Sequence, residues 1–342
     1  MSEQVSKKNE ELPKKPLRVR LARRGAESLV VWPGLGTLAA FAAPLYWVFD
    51  LFTHFRFQYS TVLLAGIVMC ALLKHWKALG VGSLMLVINL ICVVPLFIST
   101  GTPVDTKTKL TVMHFNVHTV NNRYDEVTNY MADSGADIIF IQEIDQTWSL
   151  ELFTHVEGYE LIVTEPRDDN FGIAMLVKKS IKDTMTRARA RDVTKAMVPS
   201  IEVDVEFDGR TMTFLSVHTT PPISPVCANT RDDQMREVAK WVKQQQERGN
   251  AAVVIGDLNA TPFSAAFQEL TESAELISSQ TGFGYQATWP GTRPANGAAQ
   301  FVLGIPIDHC LHTDELVTAD RQVGLSLGSD HRALVVRLAW RE

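Results

Sequence analysis

The chain has 342 residues, 46% hydrophobic and 21% charged, with a formal net charge of −5. That length has room for more than one structural unit, and the acidic balance is a poor electrostatic footprint for a polyanion such as DNA. Four cysteines without a spacing pattern speak against a thiolate-held zinc site, and Cys227 and Cys310 are expected to remain separate thiols.

Residues 1–28 form a basic leader that includes Lys7, Lys8, Lys14, Lys15, Arg18, Arg20, Arg23 and Arg24. Residues 29–98 hold three apolar stretches, "LVVWPGLGTLAAFAAPLYWVFDLF", "FQYSTVLLAGIVMCALL" and "ALGVGSLMLVINLICVVPLFI". Each approaches the roughly 20 residues that a helix needs to cross a bilayer core of about 30 Å. Trp32, Tyr46, Trp47 and Trp76 lie near their ends, where aromatic rings favour the membrane interface. Three such stretches in succession, with short connectors and almost no internal charge, read as transmembrane helices rather than buried helices of a soluble domain. A cleavable signal peptide fits poorly, because the first stretch begins about thirty residues in. The basic leader, with Lys74 and Lys77 in the second connector, predicts an N-terminus inside the cell. The expected location is therefore the cytoplasmic membrane, with everything beyond the third span periplasmic or extracellular. Asn89, alone in the third span, suits a helix–helix hydrogen bond.

After a linker at 99–108, residues 109–342 change in texture. Short apolar strands ("LTVMHFNV", "ADIIFIQEI", "YELIVTE", "GIAMLVKK", "SIEVDVEF", "MTFLSVHT", "AAVVIGDL", "IDHCLH", "HRALVVRLA") mix with helices expected at Tyr124–Ser134, Thr147–His155, Arg231–Arg248 and Ser264–Thr271. Thr281–Gln300, rich in Gly, Thr, Pro and Asn, reads as a long loop. Early strands alternate with helices and later ones follow one another directly. That order suggests two mixed or antiparallel sheets packed together, with helices outside.

One pattern recurs where strands end. Asn116, Glu143, His218, Asp257 with Asn259, Asp308 with His309, and Asp330 with His331 all sit at strand-to-loop boundaries. Singly, each reads as a turn residue, a cap or a surface histidine. Together they would line one rim with carboxylates and imidazoles. Hard oxygen donors and scarce thiols favour Mg²⁺ or Mn²⁺. Paired acids and imidazoles suit phosphate-ester hydrolysis, in which a carboxylate deprotonates water and donors neutralise charge on the phosphoryl oxygens. HExxH and P-loop signatures are absent from the sequence.

The ordered string "FNVH…IQEI…SVHT…GDLNATP…IDHC…GSDHRAL" resembles the endonuclease/exonuclease/phosphatase superfamily across residues 109–338. The resemblance implies a four-layer α/β/β/α sandwich, preceded here by the three transmembrane helices, and a divalent-metal-dependent phosphoesterase. By the same likeness Glu143 is the principal metal ligand, supported by Asn116, with Asp330 beside the metal. Asp257 activates the attacking water, and Asn259 helps to hold it and the phosphate. His331, oriented by Asp308, stabilises the transition state or assists the leaving group. His218 corresponds to a second phosphate-contacting histidine. Arg231 either reaches the cleft as a phosphate contact or anchors a loop. His114, His118 and His309 are left as structural or rim residues.

The expected function is a membrane-anchored hydrolase of a phosphodiester or phosphomonoester, on a lipid head group or a small phosphorylated metabolite. An extracytoplasmic endo- or exonuclease is the second reading, and a non-catalytic membrane interaction protein on the same fold is the third. Salt separates the first two: a nuclease should bind nucleic acid with an affinity that falls steeply as salt rises, and a small-phosphate enzyme should not.

Overall fold

A computed structural model describes residues 16–98, 108–291 and 303–342, so most of the expected linker and part of the long loop lie outside the described residues. The N-terminal part comprises α1 (Leu17–Ala39), continued by a 3₁₀ turn at Ala40–Leu45, then α2 (Trp47–Leu51), a 3₁₀ turn at Thr53–Phe55, α3 (Arg56–Leu72) and α4 (Trp76–Val93). Three segments, Leu17–Leu45, Trp47–Leu72 and Trp76–Phe97, are long and apolar enough to cross a membrane. Ala26, Val30, Leu63, Cys70 and Met85 pack between the helices, while Trp32, Leu35, Leu64, Val68, Val87 and Ile91 face outward. Asn89 works as expected: its Nδ2 donates to Thr37 Oγ1 at 2.8 Å, and its Oδ1 accepts from Arg56 at 3.3 Å.

The first span differs from its expected bounds at both ends. It starts at Leu17, inside the basic leader, where Arg23 donates to the Leu73 carbonyl at 2.8 Å at the C-terminal end of α3. It stops before Trp47, because Pro44 ends the helical run and Tyr46 is extended. Residues 46–55 therefore form a connector ahead of α3, at the start of the second apolar segment, rather than the tail of the first.

The second part contains β1 (Leu110–Asn116), α5 (Tyr124–Asp133), β2 (Ile138–Gln142), α6 (Gln146–His155), β3 (Tyr159–Glu165), β4 (Ile173–Lys178), β5 (Met185–Arg191), β6 (Ser200–Phe207) and β7 (Arg210–Ser216). It continues with α7 (Pro225–Glu247), β8 (Ala251–Asp257), α8 (Ala265–Ser273), β9 (Ile277–Ser278), β10 (Asp308–His312), β11 (Leu316–Val323) and β12 (Leu334–Trp340). Two six-stranded sheets result, ordered β11-β12-β1-β2-β4-β3 and β5-β6-β7-β8-β10-β9. Each has one parallel pair, β1–β2 and β7–β8, and antiparallel neighbours otherwise. Alternate side chains explain the layers. Val112, Phe140, Met175, Val203, Phe214 and Val253 fill the space between the sheets. Met113, Phe115, Ile139 and Ile141 meet α5 and α6 through Met131 and Trp148. Leu215, Val254 and Leu311 meet α7 and α8 through Val238, Trp241 and Phe267. The expected four-layer sandwich is present.

Helix α7 starts six residues before the expected Arg231, because Ser224 caps it by accepting from Cys227 N and Pro225 occupies its first turn. The sequence reading also missed β5, β9 and β11. All three are edge strands, and on β5 Arg187, Arg189 and Arg191 all reach the buried Glu202. Cys227 and Cys310 are free.

The connector holds the two parts together. Asp50 Oδ2 accepts from Arg231 at 2.8 Å in a pair with both side chains nearly dry. His54 Nδ1 lies 3.0 Å from Thr261 Oγ1, and Gln58 donates to the Gly304 carbonyl at 2.8 Å. Phe57 stacks on Tyr285 with ring centres 4.1 Å apart. At the end of the third span, the Leu96 carbonyl accepts from Gly282 N and Gly284 N at 3.0 and 2.7 Å. Removing one partner of a buried ion pair typically costs about 3–5 kcal/mol. Asp50→Ala is expected to weaken docking by a sizeable part of that, since Asp232 still holds Arg231. Hydrogen exchange on the full chain in nanodiscs should then show lost protection at residues 47–58 and 259–266. Unchanged protection would mean that the pair does not hold the two parts.

Candidate active site

Strand direction gathers the site. The parallel strands β1, β2, β7 and β8 end on the rim where the antiparallel strands β10 and β12 begin. Register then places Asn116 opposite Gln142 and Asp257 opposite Asp308. Gly256, just before Asp257, has φ +146°, and a Cβ there would run into the Val217 carbonyl oxygen. Only glycine lets the chain after β7 approach β8 this closely beside Asp257. Beyond the strand ends, Glu143 and Asn259 take left-handed backbone at φ +59° and +46°, which turns the chain sharply at the rim.

A buried proton-handling network spans the two sheets. Asp308 accepts from both His331 Nδ1 at 2.9 Å and His114 Nε2 at 2.8 Å, one imidazole on each oxygen. His331 Nε2 points at Asp257 Oδ2 across 3.6 Å, and His218 Nε2 lies at the same distance from that oxygen. The other Asp257 oxygen accepts from Asn259 N at 2.8 Å, and Asp257 N donates to Gln142 Oε1 at 3.1 Å.

Burial alone would push every group here toward its neutral form. In Asp308 the two histidines outweigh it and hold the carboxyl well below its usual range. In His331 burial is likewise outweighed, by Asp308 and Asp257, and the imidazolium is raised to about 10. Asp257 goes the other way: burial, with Asp308 and Glu143 nearby, pushes it to about 8 against the pull of His331. Burial, helped by the charge on His331, lowers His218 to about 3 and keeps it neutral.

A model of the "Endonuclease/Exonuclease/phosphatase family" matches residues 113–331, well over half the chain and every group just described. The chain belongs to the endonuclease/exonuclease/phosphatase family. No curated protein matches the sequence. Solved structures share the fold at low identity. D. rerio TDP2 complexed with a single-strand DNA product is 16% identical, with a TM-score of 0.56, covering 68% of this chain and 100% of that one. A Bacteroides thetaiotaomicron mannosyl-6-phosphatase is 17% identical, with a TM-score of 0.52, over 68% and 100%. The human Nocturnin catalytic domain with bound sulfate is 15% identical, with a TM-score of 0.51, over 70% and 97%.

In this family member a second group of polar residues flanks the histidines. Asn116 Nδ2 donates to Glu143 Oε1 at 2.8 Å and reaches Asp257 Oδ2 at 3.5 Å, while its Oδ1 accepts from His118 N at 3.1 Å. A backbone N–H can only donate, so the amide oxygen points at His118 and the amide N–H groups face the acids. Asn116 is thus a donor tying the two carboxylates together. Glu143 is raised by burial, against the Asn116 hydrogen bond, with Asp330 among the negative neighbours. Asp330 Oδ1 is buried without a hydrogen bond, 3.4 Å from His118, and Oδ2 accepts from Trp289 at 3.1 Å. Two close carboxylates, one with a bare buried oxygen, fit a hard divalent cation. Ligand atoms of Asp257, Asp308 and His331 also lie within 4.8 Å of one another. Both Asp308 oxygens are already taken by imidazoles, so that trio handles protons better than metal.

One expected substrate contact is engaged elsewhere. Arg231 is bound by Asp50, Asp232 and the Asn259 carbonyl, behind the rim, and anchors the loop rather than facing the cleft. The Asn259 side chain lines the cleft while donating to the Thr219 carbonyl at 2.8 Å. His309 is structural, bonded to the Ala260 carbonyl at 2.8 Å. His114, set aside as structural, proves to be the second histidine on Asp308. Its spacing of two from Asn116 on one strand put both on the same face, and that signal was legible. Gln142 carried no such mark.

Asp308→Asn removes the charge that sustains the imidazolium. His331 should then titrate several pH units below its value of about 10, as read by ¹H–¹⁵N NMR of the imidazole. The raised pKa stabilises the fold fully below about pH 6.5, and that contribution is lost as pH rises through about 10. The variant should lose this dependence.

Proposed function

We propose that the protein is a membrane-anchored, divalent-metal-dependent phosphoesterase that hydrolyses a phosphodiester or phosphomonoester by in-line attack of water. The observation that carries this reading is the buried Asp257 carboxylate, with its pKa near 8, flanked by a charged His331 and a neutral His218. A carboxylate raised toward neutrality is a competent base for water. Asp257 takes the water proton. His331, held in one orientation by Asp308, presents an N–H to the phosphoryl oxygens or to the leaving oxygen. His218 and Asn259 contribute further polar contacts to the phosphate, and Gln142 and Asn116 steady the carboxylates. Glu143 and Asp330 would hold Mg²⁺ or Mn²⁺, which neutralises charge developing on the phosphoryl oxygens.

Several features support the setting. The connector at 46–55 and the end of the third apolar segment both touch the catalytic domain, an arrangement consistent with three crossings and a domain opposite the basic leader. With positive residues inside, the domain lies outside the cytoplasmic membrane. Among the described residues the cleft lining includes Asp169, Glu143 and Asp330 but no Lys or Arg. A track for a nucleic-acid backbone needs basic side chains. Lipid head groups or small phosphorylated metabolites therefore suit the site better than DNA or RNA.

The test is a phosphoester panel on the full chain in nanodiscs with Mg²⁺ or Mn²⁺. Asp257→Asn and His331→Ala should each lose at least about a hundredfold in kcat/KM. Glu143→Gln should raise the metal concentration for half-activity at least about tenfold, a shift not expected of a purely structural residue. If the wild type releases nothing with any ester, the non-catalytic reading takes its place.

A further inference from the structure

The cleft over the site has a volume of about 710 Å³, on the scale of pockets that enclose a drug-sized ligand rather than one phosphate. Its floor is catalytic, with Glu143, Asp257 and His331. One wall does not belong to the catalytic domain: Trp47, Leu51, His54 and Phe55 come from the connector ahead of α3, at the start of the second apolar segment. Phe171, Ile223 and Ile305 oppose them from the domain. A phosphoester needs none of this apolar surface, and a soluble sugar phosphate would be poorly served by it.

We infer that this wall seats the apolar chain of a lipid phosphoester, which the enzyme draws from the bilayer into the cleft. The inference rests on the phosphoesterase reading above and narrows its substrate. Three observations favour a lipid. The wall is continuous along the chain with the apolar surface of the first span, for Leu45, 81% exposed, leads into it. On the opposite lip Ile223 is 77% exposed, an apolar side chain left in the open beside the cleft mouth. The connector cannot drift from its place, because Asp50 is paired to Arg231 and His54 meets Thr261. The wall is thus held at a fixed height over the catalytic floor. A lipid would place its phosphate on that floor while its chain runs along Leu51 and Phe55 toward the spans. Binding energy from the chain would then be available to position the reacting phosphate.

The experiment uses the full chain in phosphatidylcholine nanodiscs with Mg²⁺ and a series of alkyl p-nitrophenyl phosphodiesters with methyl, butyl and octyl chains. Each buried methylene is worth up to about fourfold in affinity. The octyl-to-methyl ratio of kcat/KM should therefore reach at least about a hundredfold in the wild type. The double variant Leu51→Ser/Phe55→Ser should lower that ratio at least about tenfold, and Leu51→Met should keep it. The bilayer concentrates longer esters equally for all forms, and taking the ratio within each form cancels any loss of folded protein. An unchanged ratio in the double variant overturns the inference while metal-dependent turnover leaves the phosphoesterase reading standing. Preference for thymidine 5′-p-nitrophenyl phosphate over the octyl ester also overturns it, in favour of a nucleotide stacked on the same aromatics. Turnover of no ester overturns both readings.

Discussion

Two carboxylates, Asp257 on β8 and Asp308 on β10, stand directly opposite each other across one antiparallel ladder. Like charges in that position repel, and deep burial makes the repulsion worse. The fold resolves the conflict by treating the two acids differently. Asp308 receives an imidazole on each oxygen and stays ionised, whereas Asp257 keeps one oxygen for the Asn259 N–H and turns the other toward two histidines that do not neutralise it fully. One residue becomes a fixed anion and the other a carboxyl held near neutrality. The remaining features of the rim, from Gly256 to Gln142, serve to hold that asymmetry.

The asymmetry could not be built within one sheet. His114 comes from β1, Asp257 and Asp308 from the opposite sheet, and His331 from the segment leading into β12. Face-to-face packing of Val112, Phe140, Phe214 and Val253 sets the distance between those strands. The apolar core thus fixes the geometry of the polar network above it, and a cavity opened in that layer would be felt at the rim.

Much of this was legible from local pattern. Alternating apolar runs marked the central strands, and "GDLN" and "SDH" marked the reactive boundaries because glycine and turn residues leave local signatures. What stayed hidden depends on partners distant in sequence. Edge strands β5 and β11 carry only broken apolar patterns: on β5 Arg187, Arg189 and Arg191 interleave with alanines and reach Glu202, and on β11 a bulge between Thr318 and Asp320 interrupts the alternation. His114 looks like any strand histidine until Asp308 is brought beside it from nearly two hundred residues away. Arg231 stayed open between phosphate contact and loop anchor because nothing near it in sequence predicts Asp50 as its partner. Asp50 itself, read as part of a membrane span, lies in the connector only because Pro44 ends the helix first.

In a membrane, that connector would change the medium around the site. Pinned by Asp50 and His54, the rim stays close to the helical bundle. In a bilayer it would therefore sit within the diffuse ionic layer over the head groups. Proton activity there follows the surface potential and departs from the bulk. The ionisation of Asp257 and His331 would then register lipid composition as well as buffer, so that membrane charge itself becomes a variable of the chemistry.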